Sequence, residues 1–176
     1  MNRAILNVGL KYGAVSGVLS VLLFFAVVLL GDNPLLATKW FDYVVIPVFI
    51  YLAVKEFKRY ENGDFLLFWQ GASVGFVTYV VSGLIFILVA YGYLSTAGEV
   101  WMADYRQHQV ELLEENREGA VEEMGEANYA RALQNLPNES VATVLGENIF
   151  HKLRIGILFT LAIVLVQRKS PPQENP

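Results

Sequence analysis

The sequence predicts an all-α membrane protein in which four transmembrane helices form a bundle with both termini in the cytoplasm. Hydrophobic residues make up 55% of the 176 residues and charged residues only 17%. The apolar residues fall in blocks too long for the elements of a soluble domain. Because a spanning helix needs about 20 apolar residues, four spans and one polar insertion account for the chain. The bases concentrate in short turns and the acids in one segment, which predicts the orientation.

The turn at residues 55–65 is the strongest orientation signal in the chain. It carries Lys55, Lys58 and Arg59 between two long apolar segments, and short loops rich in Lys and Arg stay on the cytoplasmic side of a bilayer. We expect these three side chains to set the topology. They are also suited to contact lipid headgroups, because anionic lipids attract basic residues beside a spanning helix.

The first two predicted spans are residues 10–31 and 35–57. The first is free of charge after Lys11, and its apolar run is long for a signal peptide, so we expect it to remain as a helix. The second span carries Asp42 at membrane depth. It is expected to bend near its middle, where Pro47 removes one backbone hydrogen bond.

The third predicted span, residues 66–94, follows the basic turn. Residues 95–140 then form the only long polar segment, which we expect to be an acidic helical hairpin on the extracytoplasmic side. It holds ten acids and three arginines, and a scarcity of Lys and Arg is typical of exterior loops. The fourth span, residues 141–167, carries Arg154 into the membrane, and residues 170–176 are predicted to be a disordered, Pro-rich tail.

Two glycine ridges predict how the spans pack. Gly9, Gly13 and Gly17 recur every four residues in the first span, and Gly71 and Gly75 do so in the third. Small residues at this spacing let helix backbones approach closely within a membrane. Since both helices run in the same direction, we expect the two ridges to touch in their cytoplasmic halves. The alternative is that the first ridge forms a homodimer.

Asp42 and Arg154 are the predicted intramembrane ion pair. Asp42 precedes Lys55 by thirteen residues and Arg154 precedes Arg168 by fourteen, so both lie about 20 Å from the inner boundary at ~1.5 Å per residue. An unpaired charge within the membrane is costly, and pairing across the second and fourth spans is the simplest relief. The alternative is that each side chain extends separately to the outer interface.

A set of residues at the start of the first span and around the basic turn carries a family likeness. These residues are Lys11, Tyr12, Gly13, Gly17, Lys55, Phe57, Lys58, Arg59, Glu61, Asn62, Gly63, Phe65, Gln70, Gly71 and Gly75. Together with the acidic loop before the last span and the basic tail, the pattern resembles a family of small bacterial membrane proteins known as domain of unknown function number 4199. The resemblance implies a four-span inner-membrane protein with no established activity, so it assigns no functional residue.

No motif has the spacing of a catalytic, nucleotide or metal site. The two histidines, His108 and His151, do not form a His-x3-His pair with nearby ligands, so we expect them to pack rather than to bind a metal. An intramembrane enzyme would need a positioned nucleophile with a base, or a ligand cluster, and the sequence shows neither. We therefore expect no enzymatic activity, no cofactor and no nucleic-acid partner.

These features favour a non-enzymatic integral protein of the bacterial inner membrane that acts as an accessory or scaffold subunit. Its expected partners are the lipid bilayer and either an envelope protein or further copies of the chain. The alternative is a small transporter or channel subunit that uses Asp42 and Arg154, since ionisable residues within a membrane by default mark functional sites. Inverted repeats, which are usual in carriers, are not evident.

Overall fold

The computed structural model describes residues 3–170 and contains seven α-helices there. The tail predicted for residues 170–176 lies outside this range apart from Ser170. The helices are α1 Arg3–Leu30, α2 Pro34–Glu56, α3 Phe68–Ala97, α4 Glu99–Glu115, α5 Arg117–Met124, α6 Glu126–Asn135 and α7 Val141–Gln167. Four of them, α1, α2, α3 and α7, are long and apolar enough to cross a membrane, which confirms the predicted all-α fold with four candidate spans.

The connection between α1 and α2 is a tight turn with recognisable end signals. Gly31 adopts a left-handed conformation with φ of 83°, and hydrogen bonds from Gly31 and Asp32 back to α1 close the helix, as in a Schellman motif. The Asn33 side chain then accepts a hydrogen bond of 2.9 Å from the Leu35 amide, and Pro34 occupies the first helical position. Asn at the N-cap and Pro at the first helical position both favour the start of a helix.

The connection between α2 and α3 is anchored to the end of α7. A single π-helical turn, Phe57–Glu61, continues α2, and Gly63 and Asp64 both take positive φ to reverse the chain. Leu66 and Lys169 then exchange two backbone hydrogen bonds of 2.8 and 3.1 Å. We call this end of the bundle the turn end, and the opposite end, which carries α4, α5 and α6, the acidic end.

The four long helices pack in the order α1, α3, α7, α2, and α2 returns to contact α1. Two apolar clusters fill the interior. The turn-end cluster consists of Ile5, Val8, Ile46, Ile50, Ala53, Val54, Phe57, Leu66, Val74, Tyr79, Ile155 and Val164. The acidic-end cluster consists of Phe24, Leu35, Phe86, Ala90, Leu94, Met102, Tyr105, Val144 and Leu145.

Candidate functional site

A layer of buried polar side chains separates the two apolar clusters, and all four long helices contribute to it. On each helix these residues lie between positions that belong to opposite clusters. Each side chain is almost wholly removed from solvent. The polar layer consists of Ser16 and Ser20 on α1, Asp42 on α2, Ser82 on α3, and Asn148 and Lys152 on α7.

The centre of the polar layer is an ion pair between Asp42 and Lys152. The Lys152 ammonium donates a hydrogen bond to Asp42 Oδ1, and the two side chains are 2% and 4% exposed. Asp42 lies eight residues after Pro34 and fourteen before Glu56, which places it about 12 Å and about 21 Å from the two ends of α2 at ~1.5 Å per residue. The pair therefore lies well inside the part of the bundle that could cross a membrane.

Lys152, and not the predicted Arg154, is the partner of Asp42. The two candidates are two residues apart on α7, so their side chains point in directions that differ by about 200° on a helix of 3.6 residues per turn. Lys152 points inward, whereas Arg154 is on the exposed outer face. Equal depth along the helices is thus not enough to pair two charges, because the side chains must also face one another.

The aromatic ring of Phe86 forms one wall of the ion pair. The Lys152 ammonium lies 4.2 Å from the centre of that ring, a distance at which a cation is attracted by the negative face of an aromatic ring. Asp42 Oδ2, in contrast, has no hydrogen-bond partner among the described residues, and neither does Asn148 Oδ1. The polar layer therefore contains a Lys152 ammonium that is compensated by a carboxylate and a ring, together with two oxygens, Asp42 Oδ2 and Asn148 Oδ1, that can still accept a hydrogen bond.

The first glycine ridge lies against α3, the neighbour predicted for it. A Cβ atom added at Gly9, Gly13 or Gly17 would come within 2.7 to 2.8 Å of side-chain or backbone atoms of α3. Beside the ridge, Ser16, which directly precedes Gly17, forms a buried hydrogen bond of 3.0 Å with Ser82 of α3. The glycines thus allow the close approach in which two small polar side chains satisfy each other.

The second glycine ridge does not meet the first. Gly71 faces Val164 and Gly75 faces Thr160, both on α7, so the expectation that the two ridges touch is wrong. Helix α3 packs between α1 and α7, and it turns different faces to them. The α7 side of this contact continues to Gly156, where an added Cβ would clash with the ring of Tyr79.

The basic residues of the turn end are tied to the bundle in different ways. Lys58 donates a hydrogen bond of 2.9 Å to the carbonyl oxygen of Gln167 at the end of α7. Lys55 and Arg59 are exposed and lie over tyrosine rings. Nearby, Lys169 forms an ion pair of 2.6 Å with Asp64, and the hydrogen bond from Lys169 lowers the pKa of the Asp64 carboxyl.

At the acidic end, α4 is anchored to α2. Asn33 donates hydrogen bonds of 2.9 and 2.7 Å to the Trp101 carbonyl and the Asp104 carboxylate. Lys39 donates a bond of 3.1 Å to the Tyr105 hydroxyl. Tyr105 is fully buried in the acidic-end cluster, and this burial raises the pKa of its hydroxyl. Helix α4 is therefore part of the folded core.

The structure brings the two histidines to one surface groove but assembles no metal site there. No group of three His, Cys, Asp or Glu side chains that could hold a metal ion occurs among residues 3–170. His151 Nε2 lies 3.4 Å from the Lys39 carbonyl oxygen, and its ring packs edge-on against Tyr43 at 5.5 Å. Both contacts fix the imidazole against α2.

Lys152 was not predicted from the sequence as the partner of Asp42. Only the depths of charged residues along the helices were compared, and Lys152 and Arg154 lie at nearly the same depth. A usable signal was present in the i, i+4 row of α7 that contains Asn148, Lys152, Gly156 and Thr160. All four are buried, and rows of small and polar residues are typical of helix interfaces in membranes. Arg154 shares no position with that row.

Comparison with known proteins identifies a family and no characterised relative. A family model described as "Protein of unknown function (DUF4199)" matches residues 11–169. No curated protein and no solved structure gives a significant match to the chain.

Proposed function

The chain belongs to the family of proteins of unknown function DUF4199, and from that premise we propose that it is a non-enzymatic scaffold or accessory subunit of the bacterial inner membrane. In this proposal α4, α5 and α6 lie outside the cytoplasm and present an acidic surface to a basic partner in the envelope. The termini and the turn end, with Lys55, Lys58 and Arg59, lie in the cytoplasm. The location of the bases in short segments supports this orientation.

The observation that carries the proposal is the rigid attachment of the acidic segment to the bundle. Met102 and Tyr105 of α4 are fully buried together with residues of α1, α2, α3 and α7. Further along, the Arg106 guanidinium donates a hydrogen bond of 2.9 Å to the Glu139 carbonyl, just before α7 begins. A segment attached at both ends in this way can adopt fewer conformations than a free one, and a preorganised surface loses less entropy when a partner binds.

The surface so presented is strongly acidic. The segment of residues 95–140 contains ten acids and three arginines, and most of the carboxylates near α5 are exposed. These exposed acids are Glu114, Glu115, Glu118, Glu122 and Glu123. Surfaces of one charge sign steer the approach of oppositely charged partners and suppress the binding of others, so a basic protein surface is the partner that fits. A second copy of the chain in the same membrane would present its own acidic segment on that side, so it does not fit this surface.

Site-specific photo-crosslinking in living cells tests this role. A photoreactive residue in place of Glu122 should give a discrete protein adduct, whereas the same residue in place of Leu88, an exposed apolar position on α3, should not. Replacing the other four acids by Gln, with the photoreactive residue still at position 122, should abolish the adduct while the protein still inserts into the membrane. If no discrete adduct forms at Glu122, or if the adduct survives the loss of the acids, the proposal fails.

The ion pair favours a second candidate function, a small transporter or channel subunit. Here Asp42 and Lys152 take the place of the predicted Asp42 and Arg154. Asp42 keeps a buried oxygen without a partner among the described residues, and a crevice of about 180 Å³ between α3 and α7 reaches Lys152. Buried ionisable groups at membrane depth commonly serve ion pathways.

Flux measurements in reconstituted vesicles decide the second candidate. Vesicles that contain the protein should show proton or cation flux above that of empty vesicles, and the variant Asp42→Asn should lose it. The Arg154→Gln variant is a matched control, because Arg154 is exposed and has no partner in the described part of the chain. Flux equal to that of empty vesicles in all cases would reject transport.

A further inference from the structure

A groove at the acidic end lies between α2, α4 and α7. Its volume is about 460 Å³, which is within the range of small-molecule sites, roughly 300–1,000 Å³. Two aromatic side chains at its rim, Trp40 and Tyr43, are 76% and 50% exposed. The residues that line it include Lys39, Trp40, Tyr43, His108, Leu112 and His151.

The groove offers hydrogen-bond donors that the fold holds in place. Lys39 uses one of the donors of its ammonium on the Tyr105 hydroxyl, and an ammonium has three, so two remain for a ligand. The His151 ring is held by the Lys39 carbonyl and by Tyr43, and His108 faces the same groove from α4. An oxyanion such as a phosphate matches this set of donors.

Carboxylates lie beside these donors. Glu147, one turn before His151 on α7, and Glu139 both attract the Lys39 ammonium. Burial raises the pKa of the Glu139 carboxyl, and the neighbouring Glu147 raises it further, whereas Arg106 and Lys39 act in the opposite direction. Glu147 is exposed and forms no hydrogen bond or ion pair with any residue between 3 and 170. Glu147 does not line the groove itself. It precedes the lining residue His151 by one turn on the same face of α7, so it places an uncommitted carboxylate next to the donors.

We propose that this groove binds the headgroup of a zwitterionic aminophospholipid. The lipid phosphate accepts hydrogen bonds from Lys39 and His108, and the lipid ammonium pairs with Glu147. A phosphatidylglycerol headgroup would offer the same phosphate but no ammonium for Glu147, so the groove discriminates by an ion pair that only the aminophospholipid can form.

The position of the groove along the bundle suits a lipid rather than a soluble ligand. Lys39 lies five residues into α2, about 8 Å from the helix start at ~1.5 Å per residue. Trp and Tyr side chains are typical of that depth, where headgroups meet acyl chains. Towards the turn end, α2 and α7 expose apolar side chains, among them Val44 and Leu158, each 65% exposed. These helices provide the surface along which acyl chains pack.

Native mass spectrometry of the full-length protein in detergent tests the proposal. Delipidated protein is titrated with phosphatidylethanolamine and, separately, with phosphatidylglycerol of the same acyl chains. The first phosphatidylethanolamine should bind about threefold more tightly than phosphatidylglycerol, because only its headgroup carries an ammonium that can pair with the exposed Glu147 carboxylate. Inorganic phosphate at equal concentration should not displace it. Displacement by inorganic phosphate would overturn the assignment to a lipid.

Three variants separate a specific site from the general lipid shell. Lys39→Gln should weaken the binding of both lipids, whereas Glu147→Gln should weaken only phosphatidylethanolamine and abolish the preference. Arg59→Gln, at the opposite end of the bundle, is the control and should change nothing. Because Glu147 is exposed, its replacement leaves the fold intact. The Glu147→Gln variant therefore tests the lipid preference even if Lys39→Gln unfolds the protein. Equal binding of the two lipids, or an unchanged preference in Glu147→Gln, would refute the proposal.

Discussion

Replacing one member of the Asp42–Lys152 pair should destabilise the protein much more than replacing both. In the variant Lys152→Met, the Asp42 carboxylate would remain buried without its cation. In Asp42→Leu, the Lys152 ammonium would keep only the ring of Phe86 as a partner. In the double variant, two apolar side chains of similar size would join the apolar clusters on either side of the polar layer.

The expected magnitudes follow from the burial of the pair. Both side chains are at most 4% exposed, so neither can recover its hydration when the other is removed. Breaking a buried pair at one side costs about 3–5 kcal/mol, whereas replacing both partners by apolar residues is often neutral or stabilising. The attraction of Lys152 to Phe86 offsets about 1 kcal/mol of the cost in the Asp42 variant. We therefore expect Lys152→Met to be the more harmful single change.

Reversible unfolding in mixed micelles, followed by circular dichroism, measures these free energies. The double-mutant cycle should give a coupling energy well above the ~0.5 kcal/mol that independent sites show. Arg154→Met is the matched control, because Arg154 lies two residues from Lys152 on the same helix but on its exposed face. Its change in stability should be small and additive with that of Asp42→Leu. Additive effects for Asp42 and Lys152, or coupling of Asp42 to Arg154 instead, would refute the reasoning.

Three further predictions concern other contacts. Gly13→Ala should destabilise the protein by about 1–3 kcal/mol, as overpacking does, because its Cβ would lie 2.7 Å from a carbonyl oxygen of α3. The control Gly92→Ala, with open space around its Cβ, should be neutral or slightly stabilising in the same unfolding assay, since Ala favours a helix over Gly. Asn33→Ala should lower the free energy of unfolding by about 1 kcal/mol through the lost helix cap. It should also make α4 more sensitive to protease, since two hydrogen bonds to α4 disappear. Unchanged cleavage would argue against the anchoring role. The pKa of Asp64 should lie below its usual value of about 3.9 and rise in Lys169→Gln, as measured by carboxyl NMR. Because this pKa is lowered in the folded state, the stabilisation by the ion pair is present above the unfolded pKa and is lost as the pH falls through the folded value; an unchanged Asp64 titration in Lys169→Gln would contradict it.

The sequence alone determined the properties that depend on one helix at a time. Length and uninterrupted apolarity are sufficient to recognise a candidate span, because each helix satisfies its own backbone hydrogen bonds whatever its neighbours are. Local signals likewise marked the ends, such as Gly31 with Asn33 and Pro34 before α2. The concentration of acids between the third and fourth spans was also evident from the order of residues.

Only the tertiary structure decided which faces meet. The lipid-facing and the buried faces of a membrane helix are both apolar, so apolarity alone does not indicate that Lys152 points inward and Arg154 outward. The spacing of Gly71 and Gly75 likewise revealed a face that admits a close neighbour, but not that the neighbour is α7. Depth along a helix follows from counting residues, whereas direction around it depends on packing against every neighbour at once. For that reason the partner of Asp42 was decided by the assembled bundle.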